Sequence, residues 1–327
     1  MSDQSYLDWP NHDDAWKQWR NASSGSRMHH AWILAGKKGL GKSDFAQAAA
    51  RELVAEEGIS QPSGDHPDII ELTYGPKNDK EAKAAAEGKK YETARSIRVD
   101  QIRDMQRRLT TRPTLGERRV IIINPADDME TSSSNALLKS LEEPPSGTFF
   151  LLVTHRPSRL LPTIRSRCRM LRFPLLSDVQ LREMLRQEGV EHNAGALDAA
   201  LQAAEGSYGA AMRFAEQDLG PMADHMDRLL KQGDAMLSGR AELLNLIGPR
   251  ADRARLQAVF DLALHLVSSR ARKCENSATR AKLIDAHADL VTLSGQAPTY
   301  NFDTGLLALK IGTLLMRAAP ASEHAHG

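Results

Sequence analysis

The chain has 327 residues, 41% of them hydrophobic and 26% charged, and its formal net charge is +1 at pH 7. This composition is that of a globular protein long enough for two or three domains. The near-neutral charge excludes a global basic field for nucleic-acid binding, so any basic surface must be local.

The N-terminal residues and the cysteines indicate a cytoplasmic protein without zinc. Residues 1–6 lack the basic and apolar blocks of a signal peptide, and no apolar run approaches the length of a membrane span. Cys168 and Cys274 are far apart in sequence, and in a reducing compartment we expect free thiols. Two cysteines cannot make a Cys₄ zinc site, so we expect no zinc and no membrane contact.

A lead-in helix followed by a loop is predicted over residues 9–30. Trp16 and Trp19 are three residues apart and would share one helix face, which favours packing against a core. Stacking on nucleic-acid bases is the less favoured alternative for this pair.

A nucleotide-binding pattern follows the first predicted strand. Residues 36–43, GKKGLGKS, fit the phosphate-loop pattern G-x-x-x-x-G-K-[ST] at every required position. A short apolar strand over 31–35 precedes the loop, and an Ala-rich helix over 44–55 follows it. Strand, glycine loop and helix N-terminus together direct partial positive charge at an anion, so the sequence predicts a nucleotide-binding fold.

Five residues of this loop are candidate ligands of ATP or ADP with magnesium. The glycines allow successive backbone N–H groups to turn towards phosphate oxygens. The lysine can reach the β- and γ-phosphates, and the serine hydroxyl can hold a magnesium ion. The candidates are Gly36, Gly39, Gly41, Lys42 and Ser43.

Strands and helices alternate up to about residue 174, as in a doubly wound parallel sheet. Gly75–Ser96 lacks apolar periodicity, and we expect a solvated, mobile insertion whose middle can form a surface helix. The other predicted strands cover 68–72, 119–123, 148–154 and 170–173, and the predicted helices cover 99–109 and 133–142.

Basic side chains line one face of the helix predicted over 99–109. Arg103, Arg107 and Arg108 lie opposite its apolar face. A solvated face is the favoured interpretation, and contact with DNA phosphate or a neighbouring subunit is the alternative.

Beyond Pro174 the strand pattern ends, and only helices are predicted. Ser177 is a suitable N-cap for a helix containing Val179, Leu181, Met184 and Leu185. Further on, His265 lies in a helix that is apolar on more than one side, which favours a packed histidine over a metal ligand. The further helices cover 194–205, 209–217, 221–231, 235–247, 251–273, 278–293 and 304–318.

Two sequence blocks suggest a family. Residues 134–145, SNALLKSLEEPP, and residues 160–168, LLPTIRSRC, closely resemble bacterial clamp loaders, AAA+ assemblies that open the sliding clamp and place it on primed DNA. The resemblance is strong over about residues 28–175 and rests on helical pattern alone beyond about 220. Many family members carry a four-cysteine zinc module before the segment matching 66–68, and this chain has no cysteine there.

The resemblance implies an α/β fold class and three domains. These are an AAA+ P-loop NTPase domain with a parallel sheet over 1–174, a small helical lid over 175–219, and an all-α C-terminal collar over 220–327. The collar would join the chain to other clamp-loader subunits in a hetero-pentamer. The sliding clamp and primed DNA would be partners only within that complex.

The resemblance also indicates a degenerate catalytic pair. In the family's motor subunits an Asp for the magnesium shell and a Glu that activates water precede the NALLK block, and here the same positions are Asn124 and Pro125. An amide is a poorer magnesium partner than a carboxylate, and proline cannot orient or deprotonate water. We expect Asp127 and Asp128 to lie past the strand end, away from the γ-phosphate.

Two further family positions concern nucleotide sensing. The lid motif Gly-Ser-x-Arg of the motors has Gly209 at its arginine position, and Arg213 one turn later is a less favoured substitute. The sensor position at the end of the fourth strand falls on Thr154 and His155, which is compatible with sensing but not diagnostic.

By the same resemblance, Arg167 of the SRC motif would reach into the ATP site of an adjacent motor subunit. A guanidinium supplied in trans neutralises charge on the transferring phosphoryl group. The alternative is an intramolecular salt bridge. Arg165 and Arg169 beside it are expected to be structural.

The favoured hypothesis is therefore an accessory clamp-loader subunit that does not hydrolyse ATP itself. An active motor or another AAA+ ATPase is the alternative, favoured by Lys42 and Ser43 and opposed by Asn124, Pro125 and Gly209. A P-loop kinase lacks a recognisable acceptor site. For the loop itself, retained nucleotide binding without hydrolysis is weakly favoured over an occluded loop.

Overall fold

The computed structural model describes residues 8–25, 28–189, 200–201, 204–217, 219–233, 238–248, 251–300 and 303–320. The chain divides into two compact units, Met1–Leu176 and Ser177–Gly327. The predicted lid and collar both fall in the second unit, and their separation from each other stays a prediction. Among the described residues, no helix is long and apolar enough to cross a membrane.

A five-stranded parallel sheet is the framework of the first unit. Its strands are β1 (Ala31–Ala35), β2 (Ile69–Leu72), β3 (Arg119–Ile123), β4 (Thr148–Thr154) and β5 (Arg169–Arg172), in the spatial order β2-β3-β4-β1-β5. All described pairings are parallel, so the carboxyl ends of the strands lie along one edge. Strands β1 and β3 are buried along their full length, as their continuous apolar sequences predict.

Helices cover both faces of the sheet. They are α1 (Asp13–Ser23), α2 (Lys42–Val54), α3 (Asp79–Ala86), α4 (Val99–Leu109), α5 (Thr131–Glu142) and α6 (Pro162–Arg165). The core on one face joins α1 and α2 to the sheet through Trp19, Phe45 and Leu53. The core on the other face includes Ile102 of α4 and Leu137 of α5. The predicted doubly wound α/β architecture is therefore confirmed.

The two tryptophans of α1 pack, as predicted. Trp19 is fully buried, and its ring meets Trp32 and Phe45 edge to face, with centroids 5.5 Å and 6.1 Å away. The Trp16 ring lies 4.2 Å from Phe45, and Arg20 covers it at 4.9 Å. Both rings therefore contribute to the contact between α1 and α2.

The insertion Gly75–Ser96 forms a loop whose two ends lie together, and it contains the expected surface helix, α3. The Asn78 side chain caps α3 by accepting from the Glu81 backbone N–H at 3.0 Å. The two ends of this loop pair through an isolated antiparallel β-bridge between Pro76 and Thr93. No residue of α3 is buried, so this helix contributes nothing to the core.

The arginines of α4 lie on its exposed face. Arg103 pairs with Asp100 at 3.4 Å, and Arg107 pairs with Asp104, each partner one helical turn away. These pairs match the solvated face that the sequence predicts.

The second unit is helical throughout its described residues. Its helices are α7 (Asp178–Gln187), α8 (Tyr208–Glu216), α9 (Gly220–Gln232), α10 (Ser238–Ile247), α11 (Arg253–Lys273), α12 (Ser277–Tyr300) and α13 (Thr304–Arg317). The helix predicted over 194–205 lies largely outside the described residues. In α7, Ser177 is the N-cap as expected and Leu181 is buried, whereas Val179 is exposed.

Helices α8, α9, α10, α11, α12 and α13 share one hydrophobic core in the second unit. The His265 side chain of α11 is only 10% exposed, in agreement with a packed histidine, and its Nδ1 lies 3.1 Å from Glu205 Oε1. Cys274 follows α11 as its C-cap residue and is half-buried.

Candidate functional site

The phosphate loop lies between β1 and α2, where the sequence predicts it. Gly39 and Gly41 have φ angles of 81° and 70°, a left-handed conformation that glycine adopts without steric cost. A Cβ at Gly36 would lie 2.7 Å from the Phe173 carbonyl oxygen, so only glycine fits there. The Gly36 backbone N–H donates to the Thr154 carbonyl at 3.3 Å, which fixes the loop to the end of β4.

Lys42 is buried within this loop. Only 3% of the residue is exposed, and its Nζ donates to the Lys37 carbonyl at 2.7 Å. Burial lowers the pKa of Lys42 from 10.5 to about 8, and Asp127 opposes the shift. The Lys42 side chain is thus folded back on the loop backbone and largely shielded from water. A substantial fraction of its amine is neutral at mildly alkaline pH.

Asn124 lies beside Ser43, the candidate magnesium ligand of the loop. Its Nδ2 donates to Ser43 Oγ at 3.0 Å and to Glu71 Oε1 at 3.2 Å. Pro125 follows through a cis peptide bond and is buried. The two positions that are acidic in the motors therefore present an amide and an apolar ring.

Glu71 was not singled out by sequence reasoning. It comes from β2, the sheet neighbour of β3, and its Oε2 accepts from Gln47 at 2.7 Å. An acidic residue near the carboxyl end of a strand is the signal that could have identified it. It is a carboxylate near Ser43 that the family spacing does not predict.

Asp127 lies past the end of β3, as expected, but it is close enough to the loop to act on Lys42, which the expected distance from the γ-phosphate did not anticipate. A 3-10 turn over Ala126–Asp128 folds it back towards the carboxyl edge of the sheet, where it is 9% exposed. Its Oδ1 accepts from the His155 backbone N–H at 3.0 Å, and its charge acts on Lys42. The tight turn, which the spacing argument ignored, is the physical reason for the difference. Asp128 instead accepts from the Tyr74 hydroxyl at 2.5 Å.

The predicted sensor residues lie at the end of β4, beside the loop. Thr154 is fully buried, and its Oγ1 accepts from the Arg156 backbone N–H at 3.2 Å. Burial lowers the pKa of His155 to about 4, and Lys42 adds to the shift. Nδ1 of His155 is buried without a protein hydrogen-bond partner. A neutral imidazole therefore stands beside the buried lysine.

The segment before α1 covers the start of α2. The Trp9 indole Nε1 donates to Asp44 Oδ2 at 2.9 Å, and a Cβ at Gly41 would lie within 2.7 Å of three Trp9 ring atoms. His12 stacks on Trp9 and its Nε2 lies 2.7 Å from the Leu40 carbonyl. Burial raises the pKa of Asp44, and the bond from Trp9 opposes the shift. Sequence reasoning missed this cover because the partners are far apart in the chain.

Arg167 lies between α6 and β5 in an intramolecular ion pair. Its Nη2 is 2.6 Å from Glu142 Oε1, at the end of α5, and its Nη1 donates to the Thr163 carbonyl at 2.9 Å. The Arg167 side chain is 35% exposed and that of Glu142 is 47% exposed. The next residue, Cys168, has a thiol whose pKa burial raises to about 12.

The lid residues occur at the start of α8. Ser207 is the N-cap, accepting from the Ala210 backbone N–H at 3.2 Å, so Gly209 lies in the first turn. Arg213, the less favoured substitute, has its Nη2 3.7 Å from Asp261 Oδ2 of α11. The Arg213 guanidinium is therefore directed at α11, a helix of the predicted collar.

A nucleotide fits this site only in part. Lys42 and Ser43, the predicted ligands of phosphate and magnesium, bond here to the Lys37 carbonyl and the Asn124 amide. Trp9 lies against Gly41 and Asp44, over the first turn that follows the phosphate loop. The candidate phosphate ligands of the loop are therefore present, and a packed tryptophan side chain lies beside them.

A family model matches over half of the chain. The model described as "DNA polymerase III, delta subunit" covers residues 11–177. The delta' subunit of DNA polymerase III from Pseudomonas aeruginosa is 32% identical over 235 residues, which are 66% of this chain and 67% of that protein. The Escherichia coli delta' subunit is 33% identical over 59% of this chain and 56% of its own length.

Related subunits and folds are also similar. The tau subunit of Escherichia coli DNA polymerase III is 32% identical over 60% of this chain but only 30% of its own length. A crystal structure of a gamma subunit-related protein from Thermotoga maritima covers 94% of this chain and 99% of its own, with a TM-score of 0.51 and 18% identity. This last similarity concerns the fold alone.

Proposed function

This chain belongs to the DNA polymerase III delta subunit family, the clamp-loader family of the delta' and tau/gamma relatives, and from that premise we propose that it is a delta'-type subunit that does not hydrolyse ATP. In this role it helps to load the sliding clamp onto primed DNA. The observation that carries the proposal is the amide of Asn124 against Ser43, followed by Pro125, where a motor needs two carboxylates.

The second part of the proposal is that Arg167 acts in trans on a neighbouring motor subunit. Its ion pair with Glu142 is partly exposed, and such pairs contribute only about 0–1 kcal/mol. A triphosphate offers more negative charge than one carboxylate, so exchange of partners is energetically accessible. An arginine finger of this kind changes the rate of phosphoryl transfer by on the order of 10³ to 10⁵.

For the phosphate loop we propose binding without hydrolysis, with Ser43 on any magnesium ion. Lys42 and its neighbouring glycines support phosphate binding, and the two residues directly after β3 are Asn124 and Pro125 rather than an acidic pair. We further propose a cytoplasmic hetero-pentamer with other clamp-loader subunits. The sliding clamp and primed DNA are then contacted within the complex.

An active ATPase is the second candidate, and Asp127 is the observation that favours it. Its carboxylate faces Lys42, and Glu71 adds a second carboxylate near Ser43. Against it, Asp127 Oδ1 already accepts from the His155 backbone, and the side chain is almost fully buried. An attacking water would have to compete with that bond.

ATP turnover by the isolated chain separates the two candidates. We expect ATP turnover no higher than that of a Lys42→Ala control. We also expect Asp127→Asn to leave this background rate unchanged. The double variant Asn124→Asp with Pro125→Glu supplies the missing acids and tests whether they are sufficient. Turnover in the unmodified chain that Asp127→Asn abolishes would establish the ATPase instead.

The finger is tested in a loader reconstituted with tau/gamma-type motor subunits. Arg167→Ala should leave assembly intact and sharply reduce DNA-stimulated hydrolysis, because charge on the transferred phosphoryl group is no longer neutralised. Arg165→Ala is the matched control, since Arg165 is exposed two residues away. Unchanged hydrolysis in Arg167→Ala would remove this assignment.

A further inference from the structure

We propose that Trp9 and Asp44 determine the ligand preference of the phosphate loop: they exclude the nucleoside half of a nucleotide, so that inorganic polyphosphates bind in preference to ATP or ADP. A nucleotide binds only when Trp9 is displaced. The inference deepens the proposed function, on which it rests for the role of the loop as a binding site.

The cover over the loop is a packed structure with several independent attachments. Trp9 is 8% exposed, and its indole is held by Asp44 on one edge and by stacking on His12 at 5.3 Å. His12 is itself attached to the loop carbonyl of Leu40. Asn11 ties the same segment to the end of β5, donating to the Pro174 carbonyl at 2.9 Å. The indole therefore occupies a defined position over the loop.

The position of the indole decides which part of a ligand it meets. Ser43 and Lys42 serve the β- and γ-phosphates and the metal, and the Asn124 amide marks that side of the loop. Gly41 is the N-cap of α2 and Asp44 lies in its first turn, and Trp9 contacts both residues. Trp9 covers the start of α2, so it lies where the phosphate chain would continue towards the ribose.

The negative charge of Asp44 disfavours a nucleotide, as the position of the Trp9 indole does. Asp44 lies in the first turn of α2, where a carboxylate favourably interacts with the helix N-terminus. The same N-terminus would otherwise attract the α-phosphate. A nucleotide must therefore displace the indole and place its α-phosphate beside a carboxylate, whereas an inorganic polyphosphate has no nucleoside to accommodate at the indole.

A base-stacking platform is the other interpretation of a tryptophan at this place. The contacts disfavour it, because one ring face is stacked on His12, Gly41 lies against the ring, and the N–H is bonded to Asp44. A purine would find no ring face open to it. The two interpretations predict opposite effects of removing the indole.

Calorimetric titration of the unmodified chain with magnesium is the first test, with tripolyphosphate and ATP as the two ligands. We expect tripolyphosphate to bind at least as tightly as ATP. ATP binding that is tighter by about tenfold or more, a difference of 1.4 kcal/mol, would overturn the inference. Failure of both ligands to bind to the unmodified chain and to every variant would overturn it as well.

Substitutions provide the second test. Trp9→Ala should tighten ATP binding by about tenfold or more and leave tripolyphosphate within about threefold. Trp16→Ala is the matched control, because Trp16 packs on Phe45, which His12 also contacts, and Trp16 does not cover the loop. Weaker ATP binding in Trp9→Ala would overturn the proposal and favour the stacking platform.

Asp44→Asn keeps the side-chain shape and the indole bond, so it supports the test even if Trp9→Ala does not fold. It should also tighten ATP binding, whereas Asp79→Asn, in the first turn of the exposed helix α3, should not. ATP turnover is measured separately. A chain that hydrolyses ATP yet prefers tripolyphosphate contradicts only the proposed function, and a chain that prefers ATP without hydrolysing it contradicts only the ligand preference.

Discussion

Lys42 is a basic group in a nearly dry position, with 3% of the residue exposed. Its Nζ has a backbone carbonyl as partner, and burial holds its pKa at about 8. A bound polyphosphate favours the protonated form, since opposite charges attract strongly where water is scarce. Binding and protonation of this side chain are therefore linked.

The linkage predicts how binding depends on pH. Below pH 8 the free chain carries protonated Lys42, and above pH 8 the proton must be taken up on binding. Tripolyphosphate affinity should therefore fall as pH rises through 8, by at most about tenfold per pH unit. Calorimetry in buffers of different ionisation enthalpy measures the proton uptake.

Lys42→Arg is the control for this prediction. Arginine stays protonated throughout the range, so its affinity profile reports the titration of the ligand alone. Identical slopes for the two chains would show that Lys42 does not titrate on binding.

Glu142 holds Arg167 in the isolated chain and competes with any phosphate for it. Glu142→Gln should change the free energy of unfolding by no more than about 1 kcal/mol, because the pair is partly exposed. In a reconstituted loader it should preserve stimulated hydrolysis and lower, or leave unchanged, the concentration needed for half-maximal stimulation. A loss as large as that of Arg167→Ala would mean that Glu142 is needed to orient the guanidinium.

At the scale of elements, a buried ion pair fastens the loop between α4 and β3. Asp68 accepts from the Thr114 and Leu115 backbone N–H groups at 2.7 Å and 2.8 Å. Arg119 lies 3.6 Å from Asp68 and donates to the Arg108 carbonyl in the last turn of α4 and to two carbonyls of the loop, those of Thr111 and Arg112. The pair is at the amino end of β2 and β3, away from the phosphate loop.

Removal of one partner should therefore destabilise the fold without altering the site. Asp68→Asn leaves a buried guanidinium without its counter-charge, and we expect a loss of about 3 kcal/mol or more in urea denaturation. Asp100→Asn breaks an exposed pair with Arg103 and should cost less than about 0.5 kcal/mol. Equal effects of the two substitutions would contradict the prediction.

Sequence reasoning was most successful for elements whose pattern is local. Strands β1, β3 and β4 have the predicted bounds, because a run buried on both faces must be apolar throughout. Strands β2 and β5 begin one residue from their predicted starts, and at β2 the excluded residue is Asp68, which faces Arg119. The phosphate loop is likewise a local pattern and lies where predicted.

The parts of the site that could not be predicted depend on contacts distant in sequence. Trp9 and Asp44 are 35 residues apart, and periodicity says nothing about such a pair. Asp127 reaches the site through a single 3-10 turn, and its partner His155 directly follows another strand, β4. Asn124 and Pro125 could be identified only because a motif of fixed spacing follows them.

At the scale of the whole molecule, the hydrophobic cores respect the division into two units. Both cores of the first unit lie within Ala15–Phe173, and the core of the second lies within Ala200–Ala318. Because a domain with its own core can fold alone, a fragment of residues 1–176 should unfold cooperatively and bind tripolyphosphate like the full chain. Circular dichroism and calorimetry check this, and a fragment without a cooperative transition would contradict it.

The contrast between the two thiols has a practical consequence for studying assembly. Both thiols are half-buried, but burial raises the pKa of the Cys168 thiol to about 12, which disfavours its thiolate, whereas Cys274 follows α11 in the other unit. The chain has two cysteines in all, so a maleimide dye applied near neutral pH should label Cys274 selectively. The unmodified sequence thus offers a single attachment point for a fluorophore that reports when partner subunits join.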